Sequence, residues 1–251
     1  ICTKMNEIDL DTMVERMNLA QIRASIFYPQ TIGFTPENGA KYKDMFLPDA
    51  AIAPAGPFPE MPFGNLPLGM PWQLVRQDSD NNGISVVFLP NKIDIVKNID
   101  TMGDNTEIDF IQFCSEKFKI FLDDIKMDAT RLAYCPLLAM DISDVEQRYS
   151  AWQHVIRQTS VDGAPCQDVN LSFLIKKEKQ IGQEIVDVNF LFKMMDGFKI
   201  KDGIRDSEGI LVQLDINTVP NTNYMFNAEG IRSFMQAAKN WKNEFVETVL
   251  K

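Results

Sequence analysis

Three segments toward the C-terminal end alternate apolar and polar residues with a period of two, and this pattern limits the fold more than any other feature. Val169, Leu171, Phe173 and Ile175 alternate with Asp168, Asn170 and Ser172. Val186, Val188, Phe190 and Phe192 alternate with Asp187 and Asn189, and Ile210, Val212, Leu214 and Ile216 with Gln213, Asp215 and Asn217. Successive strand side chains point to opposite faces, so strands of this kind make a sheet with one apolar and one polar face. The apolar face must be covered, and the sequence offers helices for the purpose.

The helical signals stand on either side of strand signals in both halves of the chain. In the first half, "NLAQIRASIFYP" reads as a strand ended by Pro29, and Thr35 with Pro36 opens a short helix carrying Tyr42, Met45 and Phe46 on one side. Residues 47–71 hold seven of the 13 prolines, which forbids regular helix and central strand alike. Strands are expected at 72–77, 83–90 and 92–98, followed by a long helix with Phe110, Phe113, Cys114, Phe118, Phe121, Leu122 and Ile125 at helical spacing. In the second half, a strand over 131–142 precedes a helix opened by Ser143 and Glu146 as a capping box. Three strands follow, and a terminal helix carries Ile231, Phe234, Met235, Ala238, Trp241, Phe245 and Val249 on one face, with Lys242 turned to water. The doubled order predicts an α+β fold of two tandem strand-helix-three-strand-helix repeats, with antiparallel sheets and helices packed on one face. The expected units are 1–126, with a proline-rich insertion at 47–71, and 127–251.

Charge and composition narrow the function classes. The 35 acids against 25 bases give a formal charge of −10, which repels a phosphate backbone, so nucleic acid is not an expected partner and a basic protein segment is. No apolar run reaches the length of about 20 residues that a membrane span needs, and the expectation is a cytoplasmic protein that does not engage a membrane. Cys2, Cys114, Cys135 and Cys166 lie too far apart for a zinc knuckle or a C-x-x-C redox pair, and Cys114 and Cys135 read as reduced core residues.

Candidate sites are few. "DSDNNG" (78–83) matches the first half of a calcium loop, but position 12, counted from Asp78, is Leu89 where a bidentate carboxylate is required. An Asp, Asn and Gly cluster between two alternating segments is instead the loop of a hairpin. His154 is the single histidine, beside Trp152 and Ile156 on a short helix, so no catalytic constellation, metal site or cofactor is expected. Asp123 and Asp124 are adjacent on a helix and point apart, which excludes a carboxylate dyad. Two surfaces remain. Asn170, Asp187, Asn189, Asp215 and Asn217 project from the polar sheet face and form the preferred binding surface. Phe58, Phe63 and Trp72 would line an alternative small-molecule or catalytic pocket between the first-half sheet and the proline-rich segment.

Trp72 opening the hairpin "PWQLVRQDSDNNGISVVFLPNKIDI", the "TRLAY" strand after the long helix, and the late "VQLDI" strand before a terminal helix resemble a sporadically distributed, uncharacterised family of prokaryotic proteins of similar length. In that family the strand after the first long helix often reads Arg, a few residues, then Arg-Tyr and Asn. Arg131 and Tyr134 match the first Arg and the Tyr, and the other two are not present here. The resemblance implies a fold, and its scattered distribution implies a bacterial binding protein acting in regulation or in conflict with phage. More distantly, helices laid on a sheet in tandem are similar to the saddle of the TATA-box-binding protein.

Overall fold

The computed structural model describes residues 17–32, 35–55, 71–77, 83–99, 105–142, 144–155, 160–161, 164–165, 169–201, 204–221 and 223–250. β1 (Asn18–Phe27) leads into α1 (Pro36–Phe46). Thr35 caps that helix, its Oγ1 accepting from the Asn38 amide at 3.2 Å, and Pro36 sits where a missing N–H is harmless. A short β2 (Ala51–Pro54) precedes β3 (Trp72–Gln77), β4 (Gly83–Leu89) and β5 (Lys92–Asn98), and α2 (Thr106–Ile125) follows. β6 (Arg131–Asp141) and α3 (Val145–Val155) come next, then the two-residue strands β7 (Ser160–Val161) and β8 (Ala164–Pro165). The long strands β9 (Asn170–Ile181), β10 (Glu184–Lys201) and β11 (Ile204–Thr218) lead to α4 (Ala228–Leu250).

Nine strands make a single antiparallel sheet in the order β2-β3-β4-β5-β1-β6-β11-β10-β9. This corrects the expected two tandem strand-helix repeats with sheets of their own: the described residues are 48% strand and 33% helix, and most of them belong to one sheet. The physical reason lies in β1 and β6. From Leu132 to Pro136 every residue of β6 is buried, so this strand is covered on both faces and needs a neighbour on each side. It finds β11 on one flank and β1 on the other, and β1 in turn pairs with β5. Pro136 sits inside this central strand opposite Ile22, and on its other flank the pairing with β11 is interrupted between Gln213 and Ile216, the gap that a residue without an N–H leaves.

The strand boundaries of the first half agree with the alternation in sequence, and Gln77 pairs with Gly83 across the predicted hairpin, whose tip (78–82) lies outside the described residues. In the second half β9 and β10 run on past the expected ends at 175 and 195, to Ile181 and Lys201, and β11 begins earlier, at Ile204. The proline-rich segment contributes β2, an edge strand whose Pro54 lies opposite Trp72, a place where a missing N–H is tolerated. Helix α3 is capped by Asp144, whose Oδ1 accepts from the Gln147 amide at 2.8 Å, while Ser143 of the expected capping box lies outside the described residues. The one-residue shift in cap chemistry leaves the helix in place.

The four helices of the described residues lie on the apolar face. Under α1 and α2, Trp72 stacks on Phe88 at 4.0 Å between ring centroids, with Tyr42, Phe46 and Phe121 closing the cluster. Under α4, Phe190 stacks on Phe245 and meets Trp241 edge-on. Trp152 of α3 donates its indole N–H to Asp196 of β10 at 2.8 Å, and Asp196 also accepts from the Val169 amide.

The expectation that Lys242 faces water is overturned. α4 buries Ile231, Phe234, Met235, Ala238, Trp241, Lys242, Phe245 and Val246, a stripe wider than one sheet contact requires. It is wide because α4 rests on the sheet and also lies beside α2. Lys242, 7% exposed, places Nζ at 2.8 and 2.7 Å from the two carboxylate oxygens of Glu107, itself 7% exposed in the first turn of α2. Tyr134 of β6 donates its hydroxyl to the same carboxylate. Burial, reinforced by the Glu107 charge, holds the Tyr134 pKa well above its ordinary value, so it stays a donor.

Removing one partner of a buried pair strands the other charge. Glu107→Ala and Lys242→Ala are each expected to lower unfolding free energy by about 3 to 5 kcal/mol in urea titrations. The double change Glu107→Leu with Lys242→Met is expected to cost much less than the two single losses together. Trp241→Ala should match the single losses, at about 3 to 5 kcal/mol.

Candidate functional site

The other face of the sheet carries no described helix. Its residues follow from register: Ser25 lies opposite Asp94 of β5 and Ala133 of β6, and Ala133 lies opposite Asn217 of β11, which lies opposite Asn189 of β10. Two residue pairs along, Arg23 faces Cys135, and two pairs the other way Phe27 lies between Lys92 and Arg131.

Hydrogen bonds join these side chains into a chain across the strands. Arg131 Nη2 donates to Asn217 Oδ1 at 2.9 Å, and Asn189 Nδ2 donates to the same oxygen at 3.2 Å. Asn217 Nδ2 donates to Asp215 Oδ1 at 2.9 Å, and the Cys135 thiol donates to that oxygen at 3.3 Å. Lys92 Nζ stands 2.8 Å from Asp94 Oδ1 as an ion pair. Arg131 and Lys92 both lie over the Phe27 ring, at 4.8 and 5.1 Å from its centroid.

Of the five residues expected on a binding face, the structure brings Asn189, Asp215 and Asn217 into one network. Asp187 is on the same face but exposed toward the β9 edge. Asn170 lies opposite Met195, six residues along β10 from Asn189, about 20 Å away at the usual strand rise. The face is also less uniformly polar than the alternation implied: Leu174, 53% exposed, sits opposite Leu191, and Ile185 is 69% exposed.

Sequence reasoning missed Arg23, Ser25, Asp94 and Cys135 as members of the site. β1 and β5 contribute Arg23, Ser25 and Asp94 from the first half, and only the pairing of β1 with β6, which carries Cys135, makes them neighbours of Asp215 and Asn217. A usable signal was present: Gln21, Arg23 and Ser25 alternate with Ile22, Ala24 and Ile26, just as the later strands alternate. Cys114 is fully buried in α2 as expected, whereas Cys135 is buried on the polar face.

The electrostatics follow from this placement. Burial by itself would lower the Arg23 pKa, but Cys135, Asp94 and Asp215 outweigh it and hold the guanidinium charged. Burial pushes the Cys135 thiol up to about 12, with Asp215 adding to the rise and Arg23 opposing it. Five buried side-chain atoms among the described residues have no hydrogen-bond partner: Arg23 Nε, Ser25 Oγ, Asp94 Oδ1, Arg131 Nε and Asn189 Oδ1. All five are on this face.

The alternative pocket fares differently. Phe58 and Phe63 lie outside the described residues, and Trp72 is a core ring on the helix-bearing face. The side chain of His154 is likewise outside what is described. No group of three His, Cys, Asp or Glu among the described residues is placed to hold a metal ion, and no described helix is long and apolar enough to cross a membrane.

A thiol protonated up to about pH 12 is a poor nucleophile at pH 8, where an ordinary cysteine, with a pKa of about 8.5, reacts readily. Iodoacetamide at pH 8, read by peptide mass spectrometry, is expected to leave Cys135 unmodified in the folded chain and to modify it in urea. Asp215→Asn removes a charge that raises the thiol pKa, and should speed modification of folded Cys135.

No protein-family model matches this chain, and no curated protein matches its sequence.

Proposed function

We propose that this chain is a non-enzymatic binding protein that works through protein–protein contacts, and that the helix-free sheet face is its docking surface. One observation carries the reading. Buried polar atoms of the described residues that have neither hydrogen-bond nor ion-pair partner gather on that face, over β1, β6 and β10, as a mixture of donors and acceptors. Native interiors pair almost all such groups, and each one left open is costly. A partner presenting peptide groups and short polar side chains would supply both kinds of complement.

The charge of the face favours a protein segment over a polyanion. The chain is acidic as a whole, but Arg23, Lys92, Arg131, Lys176 and Lys193 stand here among Asp94, Asp187, Asp215 and Glu178. Balanced charge gives specificity through matched pairs and offers no continuous basic track for phosphates. Leu174 and Ile185 at the β9 side add exposed apolar area of the kind that the centre of a contact uses.

A photo-crosslinking residue placed at Lys176, exposed on this face, is expected to capture a specific protein in a lysate of the source organism. The same residue at Gln236, exposed on the outer side of α4, should not. Asn189→Arg should abolish capture from position 176 without loss of folding, judged by circular dichroism. Capture that is equal from both positions, or that survives Asn189→Arg, would remove the face from this role.

A further inference from the structure

We infer that the groove between α2 and α4 is a binding site for an elongated organic dianion, a small molecule with an anionic group at each end. The site lies away from the sheet face and does not rest on the docking reading.

The two helices run antiparallel. Lys242 near the end of α4 meets Glu107 at the start of α2, and Phe226, just before α4, bridges to Ala129, just after α2. On their solvent side they enclose a groove of about 670 Å³, within the range that small ligands fill. Ile111, 5% exposed, and Ile108, 48% exposed, give the groove an apolar lining. Gln112, Gln236 and Asn240 add neutral amides that can both donate and accept.

Charge is sorted sharply between this groove and the rest of the two helices. α2 carries five carboxylates and two lysines, and α4 three carboxylates and three cations. The groove nevertheless receives Lys119, Arg232 and Lys239 against a single carboxylate, Glu116. Glu116 accepts from Gln112 at 3.2 Å, and among the described residues no carboxylate pairs with Arg232 or Lys239. Lys119 stands 3.5 Å from Asp123, but both side chains are more than half exposed, so that pair is weak. In a chain of formal charge −10, a groove whose lining has two more cations than anions draws anions to itself.

The spacing of the cations sets the shape of the ligand. Arg232, Gln236 and Lys239 are four and three residues apart, so they stand in one line along α4. Seven residues at the helical rise separate Arg232 from Lys239 by about 10 Å. An anionic group at each cation leaves the middle of the ligand beside Gln236 and the apolar lining. A monoanion uses one cation and leaves the other without a counter-charge, whereas a dianion of matching length engages both.

The probe is decanedioate, titrated at constant ionic strength against chloride. Binding heat is measured by calorimetry, and the Ile108 methyl signal is followed by NMR and identified by its loss in Ile108→Val. Both readouts are expected to saturate with the same affinity. Decanoate, with one carboxylate, and butanedioate, too short to span the two cations, should each bind at least about fivefold more weakly. Arg232→Gln and Lys239→Gln should weaken decanedioate binding by a similar factor, while Lys43→Gln on α1 leaves it unchanged; circular dichroism checks that each variant is folded. Octane-1,8-diyl bisphosphate, titrated in parallel, shows whether the groove prefers carboxylate or phosphate ends. No saturation with either dianion, equal affinity for decanoate and decanedioate, or undiminished binding by Lys239→Gln would each overturn the site. Capture from position 176 reads the sheet face, so the two outcomes stand apart.

Discussion

The structure depends on the antiparallel pairing of β1 with β6. Nothing else in the chain joins strands from before and after residue 126 in a hydrogen-bonded ladder among the described residues. Once that ladder forms, the apolar sides of all nine strands become one surface, and the helices on both flanks cover it as one layer. α2 and α4 then lie side by side, and a polar contact between them becomes unavoidable at the point where both cross the end of β6. Glu107, Lys242 and Tyr134 meet there because helix, helix and central strand each present a side chain to the same dry space. A cluster of this kind adds little net stability over an apolar one, but it fixes which turn of α4 sits against which turn of α2.

Much of this was legible in the residues. The alternation of β3 to β5 and of β9 to β11 fixed which side chains share a face, and the stripe on α4 identified its buried side. Thr35 and Pro36 announced a helix start that the structure reproduces in detail. Local rules suffice where the deciding partner is a few residues away. They could not say that β1 and β6 pair with each other, since that choice is between partners about 110 residues apart and leaves no mark within either strand beyond burial on both sides. The misreading of Lys242 has the same origin. Its own helix says only that it borders the apolar stripe, and the neighbour that buries it belongs to α2.

The candidate face shows the limit still more sharply. Asn189, Asp215 and Asn217 were visible as polar positions on alternating strands, and they do meet. Arg131 was visible through a resemblance in the strand that carries it. Arg23, Ser25 and Asp94 sit in runs whose polar members look like ordinary solvated positions, and only the shared sheet buries Ser25 and Asp94 and half-buries Arg23 beside Asp215 and Asn217. The two sides of the sheet therefore treat polar groups in opposite ways. On the helix side the buried charges are closed within the fold, whereas on the other side several donors and acceptors are left open.

The sheet has two ends, and both are finished against growth. β2 is four residues long and ends in Pro54, which has no N–H to offer a further strand. Among the described residues β9 is the edge at the other end, and its second half reads Lys176, Lys177, Glu178, Lys179, so any strand added there would lie along a run dominated by ammonium groups. Those lysines act as the hem of the fabric. Chemical acetylation of Lys176 and Lys177 would remove charge that stops one molecule's sheet from continuing into the next, whereas at Lys179 it would also end the cation–π contacts with Phe190 and Trp241.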